Sequence, residues 1–206
     1  MATEREVPIG QSALLVIDVQ DSFKATPRWQ RRSSWAFEAN VERLLQAYRG
    51  AGLPVIFFLH TDGDEGFGTD SPWFKLMDFL APAPDEPVRI KNTRNAFTST
   101  DLGELLSARG VRRLAITGIQ TEQCCETTAR LAADLGFDVD FVLEATLTFP
   151  IADPATGEEL TTEEILRRTE FVLRRRFARI TAVDDLVAEI ERAALPAGAA
   201  DQSSAR

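Results

Sequence analysis

Four apolar runs, separated by stretches with helical periodicity, constrain the fold of this chain more than any other feature. Each run places hydrophobic residues in succession, as a strand does when both of its faces are buried. The segments between them carry apolar residues three and four positions apart, as amphipathic helices do. This alternation predicts a doubly wound α/β sheet with ligands outside the carboxyl ends of its strands. The runs are residues 13–17, 54–60, 114–116 and 138–143, and shorter strands are predicted at 88–91 and 178–181.

The length and charge of the chain limit its organisation and its partners. A chain of 206 residues is long enough for one domain with a proper core, which we place at 1–192, and the tail 193–206 is predicted to be disordered. The net charge of −9 argues against nucleic acid and anionic membranes as partners. No secretory signal and no apolar segment of membrane-spanning length is visible, and the two cysteines are adjacent, so a cytoplasmic location is expected.

Helix boundaries are predicted from capping patterns and chain breakers. Thr161 with Glu164, and Asp101 with Glu104, have the spacing of capping boxes that open helices. A short helix is predicted over 71–80, and the glycines and acids of 61–70 indicate a surface loop.

The stretch 111–135 combines a buried strand, a turn and a helix that carries a cysteine near its start. Thr121 stands where an N-cap is expected, which places Cys124 in the first helical turn. The positive end of the helix dipole lies there, so the pattern predicts a lowered pKa for the Cys124 thiol and a nucleophilic role. The alternative interpretation is a small buried core residue, because free cysteine is often fully buried.

Two further polar residues follow apolar strands at the same predicted sheet edge. Asp18 ends the run 13–17, and Lys91 ends the strand 88–91. Each has an ordinary structural interpretation, since Asp is common in turns and Lys is usually solvated. Together with Cys124 they offer a carboxylate to accept a thiol proton, an ammonium to hold charges in place and a thiolate nucleophile.

These residues lie in three motifs that resemble the isochorismatase-like superfamily of cysteine hydrolases. The motifs are LLVIDVQDSF (14–23), KNTRNAF followed by TDL (91–102), and TGIQTEQCCETTARLAADLG (117–136), and the resemblance covers roughly residues 12–190. It implies a three-layer α/β/α fold with a mostly parallel six-stranded sheet. It also implies a catalytic triad of Asp18, Lys91 and Cys124, whereas Cys125 occupies a position usually held by an apolar residue.

The same resemblance implies a reaction. A cis peptide bond between Ile119 and Gln120 would direct the Gln120 N–H, beside that of Cys124, into an oxyanion hole. We therefore expect cleavage of a C–N bond in a small carboxamide, ureido compound or lactam through a thioester, without a cofactor. One alternative is vinyl ether hydrolysis of the isochorismatase type, although the nucleophilic cysteine is often absent from those enzymes. Another is a non-catalytic binding or scaffold protein on the same fold.

The chain departs from some relatives in its metal ligands and in one connection. Nicotinamidases of the family bind a metal with one Asp and two His, and this chain has a single His, so no metal site of that kind is expected. Phe23, His60, Trp73 and Phe149 are predicted to contact the substrate; the alternatives are a surface or hydrogen-bonded core histidine for His60 and simple core packing for the aromatic residues. The long segment 145–158 is predicted to form a lid or a contact in a homo-oligomer, since family members commonly form dimers or tetramers.

Overall fold

A six-stranded sheet in which every neighbouring pair of strands is parallel forms the centre of the computed structural model, which describes residues 7–64 and 66–195. In chain order the strands are β1 (Ser12–Ile17), β2 (Val55–His60), β3 (Val88–Lys91), β4 (Arg113–Ile119), β5 (Asp138–Leu147), β6 (Ile151–Ala152), β7 (Glu159–Leu160) and β8 (Arg179–Ile180). The order across the six-stranded sheet is β3-β2-β1-β4-β5-β8. All six predicted strands are confirmed.

Helices cover both faces of this sheet and bury alternate residues of its central strand. The helices are α1 (Phe37–Gly50), α2 (Leu102–Ala108), α3 (Glu126–Asp134), α4 (Thr162–Leu173) and α5 (Val183–Ala194). Leu14 and Val16 of β1 pack in a core with α1 and α5, whereas Leu15 and Ile17 pack with α2, α3 and α4 on the other face. Burial on both faces explains why β1 appears in the sequence as a continuous apolar run. The three-layer α/β/α fold is therefore as predicted.

The last helix runs slightly past the predicted domain boundary at 192. Residues 193 and 194, assigned to the tail by the sequence, are the final residues of α5, while 196–206 lie outside the described residues. Within 7–64 and 66–195, no helix combines the length and the apolar character needed to cross a bilayer.

The two predicted capping boxes have different outcomes. Thr161 and Glu164 form the reciprocal box that opens α4, as predicted. The box at Asp101 is wrong, because that carboxylate instead accepts hydrogen bonds of 2.6 and 2.9 Å from the guanidinium of Arg89 on β3. A charged donor in a forked arrangement forms stronger bonds than a backbone N–H does, which accounts for the preference.

The segments 71–80 and 145–158 also differ from expectation. Residues 71–80 form turns rather than a helix, because their backbone pairs with the chain after β1 through Asp21 N–H to Lys75 O and Met77 N–H to Val19 O. The segment 145–158 begins as the end of β5 and continues into a hairpin of β6 and β7. All four residues of these two short strands are exposed. The predicted lid or subunit contact of this segment stays a prediction.

A partly buried ion cluster joins the amino ends of the strands to α5. Arg113 at the start of β4, which is 2% exposed, donates to Asp140 of β5 at 2.7 Å and to both carboxylate oxygens of Glu189 at 2.6 and 3.0 Å. Arg179 of β8 also donates to Asp140 and to Glu189. The cluster therefore fixes α5 against the end of the sheet opposite to Asp18 and Lys91.

We expect the Glu189→Gln substitution to reduce the free energy of unfolding in a pH-dependent way. Hydrogen bonds from Arg113 lower the pKa of Glu189 from 4.5 to about 2. The unfolded state therefore binds a proton at higher pH than the folded state, so this stabilisation is complete above pH 4.5 and is lost as the pH falls toward 2. Melting temperatures of both proteins should converge over that interval. Glu191→Gln, at an exposed position of the same helix, is the control, and a constant difference across the interval would contradict the assignment.

Candidate active site

Asp18 lies directly after the central strand β1 in a backbone conformation that few residues adopt. Its φ is +53°, in the left-handed region, where Asp is tolerated better than most residues other than Gly. Its N–H donates to the carbonyl of Phe58 in β2 at 3.0 Å, which continues the sheet hydrogen bonding by one residue. The side chain is fully buried. The chain thus turns sharply while the carboxylate stays at the carboxyl edge of the sheet.

Lys91 and Cys124 meet Asp18 at this edge. The Lys91 ammonium lies 2.8 Å from Asp18 Oδ2 in an ion pair with no solvent exposure on either side chain, and it lies 3.4 Å from Cys124 Sγ. Lys91 comes from the edge strand β3, Asp18 from β1 and Cys124 from the segment after β4. The three side chains singled out from the sequence are therefore in mutual contact, and Cys124 is 5% exposed.

The segment that carries Cys124 is a π-helical turn rather than the first turn of an α-helix. It spans Thr121–Cys125 and continues into α3, and the Cys125 N–H donates to the carbonyl of Gln120 at 3.2 Å. The predicted N-cap role of Thr121 is wrong, because its hydroxyl donates to Thr146 in β5 at 2.9 Å. The peptide bond between Ile119 and Gln120 is cis, as the family resemblance implies.

The electrostatic environment of Cys124 is opposite to the one expected from the helix dipole. Burial, followed by the negative charge of Asp18, raises the pKa of the thiol to about 12, and the opposing effect of Lys91 is smaller. The lowered pKa predicted for Cys124 is therefore wrong. Burial also raises the pKa of Asp18, against the lowering influence of Lys91. The result is a protonated thiol beside a carboxylate that is a stronger base than usual.

His60 is buried and contacts Lys91. It ends β2, is 3% exposed, and its Nδ1 lies 3.3 Å from the Lys91 ammonium. Its Nε2 lies 3.0 Å from Asp62 Oδ2 and also contacts Arg94. Burial, and then the charge of Lys91, lowers the pKa of His60, so the ring is neutral at pH 7. Contact of either ring nitrogen with substrate would have to replace one of these partners.

Aromatic side chains form one wall next to His60. Phe23 stacks on Phe149 with ring centroids 5.8 Å apart and meets the edge of Phe67 at 5.0 Å, and Phe67 in turn lies 6.3 Å from the His60 ring. Trp73 is 44% exposed, so it lies at the surface. Of the four predicted substrate contacts, Phe23, His60 and Phe149 are thus linked in one cluster, and Trp73 is at the protein surface.

Two residues near this wall were not found from the sequence. Phe67 is buried although it belongs to the loop 61–70, where it is the single aromatic residue among glycines and acids. Arg28 lies over the rings of Phe23 and Phe149, at 5.4 and 5.1 Å from their centroids. A lone aromatic in a polar loop was a usable signal for Phe67, whereas nothing in the local sequence distinguishes Arg28 from the neighbouring arginines.

A groove of about 610 Å³ lies elsewhere, between α1 and α5, with Val187 and Ile190 in its lining. It is separated from the residues described above, which lie at the carboxyl edge of the sheet. The candidate active site is therefore chosen by the convergence of ionisable side chains at the carboxyl edge of the sheet, and not by the volume of a groove.

Comparison with known proteins identifies relatives of this chain. The model of the Isochorismatase domain matches residues 12–163. Nicotinamidase 3 of Arabidopsis thaliana is 35% identical over 154 residues, which cover 67% of this chain and 74% of that protein. A streptothricin hydrolase of Streptomyces noursei is 33% identical over 164 residues, which cover 78% of this chain and 59% of that protein. The crystal structure of a hydrolase of the isochorismatase family from Chromobacterium violaceum superposes with a TM-score of 0.81 at 30% identity, over 88% of this chain and 94% of that chain.

Proposed function

This chain belongs to the isochorismatase family of hydrolases, and from that premise we propose that it cleaves a C–N bond of a small carboxamide, ureido compound or lactam through a thioester on Cys124. The observation that supports this proposal is the contact of Lys91 with Asp18 at 2.8 Å and with Cys124 at 3.4 Å inside a buried, largely polar cluster. A nucleophile, a base and a cation are thereby within reach of one carbonyl carbon.

In the first step, Asp18 acts as the general base. Since the pKa of the Cys124 thiol is about 12, proton transfer to Asp18 accompanies the attack of sulfur on the substrate carbonyl carbon and does not precede it. The S–C bond forms, the carbonyl π electrons move to oxygen, and the thiol proton resides on the Asp18 carboxyl group. Lys91 holds Asp18 in position and offsets the negative charge that develops in the cluster.

Two backbone N–H groups, those of Gln120 and Cys124, are proposed to receive the oxyanion. Donors of this kind stabilise the tetrahedral intermediate more than the planar substrate, and losing one typically raises the barrier by about 3–4 kcal/mol. The intermediate then collapses, the C–N bond breaks, and the leaving nitrogen takes the proton from Asp18. Asp18 next removes a proton from water, whose oxygen attacks the thioester carbon; the C–S bond then breaks, the acid is released, and the Cys124 sulfur takes the proton back from Asp18.

The names of two relatives favour amide-type substrates over ethers. A nicotinamidase and a streptothricin hydrolase are similar to this chain, and Cys124 is retained. The nicotinamidase metal site of one Asp and two His does not fit this chain, which has one His, so no step is assigned to a metal. Vinyl ether hydrolysis remains the second candidate, since the family includes isochorismatases, and pyruvate release from isochorismate that survives Cys124→Ser would select it.

Trapping of the covalent intermediate tests the proposal directly. Incubation with a panel of amides, ureas and lactams, followed by acid quenching and mass spectrometry, is expected to show an acyl adduct on Cys124. Peptide mapping should find Cys125 unmodified, because it is fully buried and burial raises its pKa well above the usual value. Cys125→Ala is the matched control and should still form the adduct. Absence of any adduct, with Cys124→Ala as active as the natural protein, would remove Cys124 from the mechanism.

A further inference from the structure

The Lys91 ammonium occupies the centre of a cage of polar atoms. Its Nζ lies 2.8 Å from Asp18 Oδ2, 3.3 Å from His60 Nδ1, 3.4 Å from Cys124 Sγ and 3.2 Å from the carbonyl oxygen of Thr93. These four atoms come from four different segments of the chain. The ammonium is therefore held much as a coordinated cation would be, by oxygen, nitrogen and sulfur at once.

The three side chains of this cage form a donor set suited to a thiophilic metal. The donor atoms of Asp18, His60 and Cys124 lie within 4.8 Å of one another. Tetrahedral Zn²⁺ with bonds of about 2.0–2.3 Å requires donor separations of roughly 3.3–3.8 Å. Because the present separations are at most 4.8 Å, each pair of donor atoms would have to approach by no more than about 1–1.5 Å, and the Thr93 carbonyl or a water would supply the fourth position.

The Asp18 carboxylate depends on the other members of the cage for its polar contacts. It is fully buried, its Oδ2 lies 2.8 Å from the Lys91 ammonium, and its remaining hydrogen-bonding neighbour is Cys124. Buried carboxylates normally have their lone pairs occupied by donors or metals. Removal of the Lys91 ammonium would therefore leave Asp18 without a cation, at a position that a metal ion could take.

We propose that Asp18, His60 and Cys124 form a latent binding site for a thiophilic divalent cation such as Zn²⁺, which the Lys91 ammonium occupies and thereby keeps free of metal. A unit charge and a divalent cation cannot share one cage, because their repulsion at this separation is strong. Lys91 would therefore protect the nucleophile from metallation, in addition to its proposed part in the reaction. Metal binding would release the Cys124 proton to solvent and form a metal–thiolate bond with no change of oxidation state.

The experiment compares Lys91→Ala with the natural protein, using Co²⁺ and Zn²⁺ alone and no substrate. Lys91→Ala is expected to bind one equivalent of Co²⁺ with a thiolate-to-metal charge-transfer band, and to bind Zn²⁺ about 100-fold more tightly than the natural protein does. Lys75→Ala is the matched control, since Lys75 pairs with Asp21 and Asp78 at an exposed position, and it should behave as the natural protein. These readouts do not depend on the hydrolase proposal.

Double variants assign the ligands. Lys91→Ala with Cys124→Ser should lose the charge-transfer band, and Lys91→Ala with His60→Leu should bind Zn²⁺ at least about tenfold more weakly than Lys91→Ala alone. A band that persists without Cys124 would place the metal elsewhere and overturn the proposal. Equal Zn²⁺ affinity in the natural protein and Lys91→Ala would overturn the protective role of Lys91.

If Lys91→Ala folds poorly, its melting temperature and its refolding yield with and without Zn²⁺ test the proposal instead. The variant leaves a buried carboxylate without its cation, and Zn²⁺ should replace that charge. We expect Zn²⁺ to raise the melting temperature of Lys91→Ala, or to restore its folding during refolding, and to leave the natural protein unchanged. A variant that Zn²⁺ neither stabilises nor refolds would contradict the proposal.

Discussion

Asp18→Asn is expected to slow acylation of Cys124 by about 10³- to 10⁵-fold. With a thiol pKa of about 12, only about one Cys124 side chain in 10⁴ to 10⁵ is a thiolate at pH 7.5, so attack depends on a neighbouring base. The amide of Asn is nearly the same size as the carboxylate but accepts no proton at this pH. Single-turnover measurement of the acyl adduct by rapid quench and mass spectrometry would give the rate.

Asp21→Asn provides the matched control for that substitution. Asp21 is also a buried carboxylate after β1, but it pairs with Lys24 and Lys75 and not with the triad. Its substitution should change the acylation rate by less than about tenfold. If Asp18→Asn retained the acylation rate of the natural protein, a different base would have to serve Cys124. The melting temperature of each variant separates loss of chemistry from loss of fold.

Gly118→Ala is expected to prevent stable folding or to lower the melting temperature by more than about 10 °C. Gly118 is paired with Ile17 across β1 and β4 and has a φ of +134°. A Cβ atom at this position would lie 1.9 Å from the Ile17 carbonyl oxygen, and backbone cannot rotate away as a side chain can. Because Ile17 precedes Asp18, any relief of the clash would also displace the proposed base. Thermal unfolding and soluble yield measure the effect.

Gly103→Ala tests whether the effect belongs to the position or to the residue type. Gly103 lies in α2, and an added Cβ would meet no atom within 4 Å. The unfolding free energy should rise by about 0.5–1 kcal/mol, because alanine favours the helix over glycine. Equal and small effects of the two substitutions would show that β1 and β4 can separate without penalty, contrary to this structure.

The strands and the three ionisable residues could be predicted because their signals are local. Burial of both faces makes β1 a continuous apolar run, Asp18 directly follows β1, and Lys91 is the last residue of β3. The segment 71–80 has a helix-like composition, but its backbone hydrogen bonds go to the chain around Gln20, more than fifty residues earlier. A pairing of that kind leaves no mark in the periodicity of either segment.

The pKa of Cys124 could not be predicted for a related reason. Sequence position near a helix start suggested stabilisation of the thiolate, whereas the larger influences come from burial and from Asp18, which is distant along the chain. The π-helical turn was missed because helical patterns assume 3.6 residues per turn. Phe67 and Arg28 belong to loops, where side-chain placement depends on contacts with other segments.

The positions of the three proposed catalytic residues on three separate strand ends have an evolutionary consequence. Asp18, Lys91 and the turn that carries Cys124 are anchored to β1, β3 and β4, whereas Phe67 and Arg28 are carried by the intervening connections. Insertions or exchanges in those connections would therefore change the aromatic cluster beside His60 and leave the side chains of Asp18, Lys91 and Cys124 where they are. A scaffold of this kind can acquire new substrates by loop replacement alone, and chimaeras with the loop 61–70 of a relative are a direct route to altered selectivity.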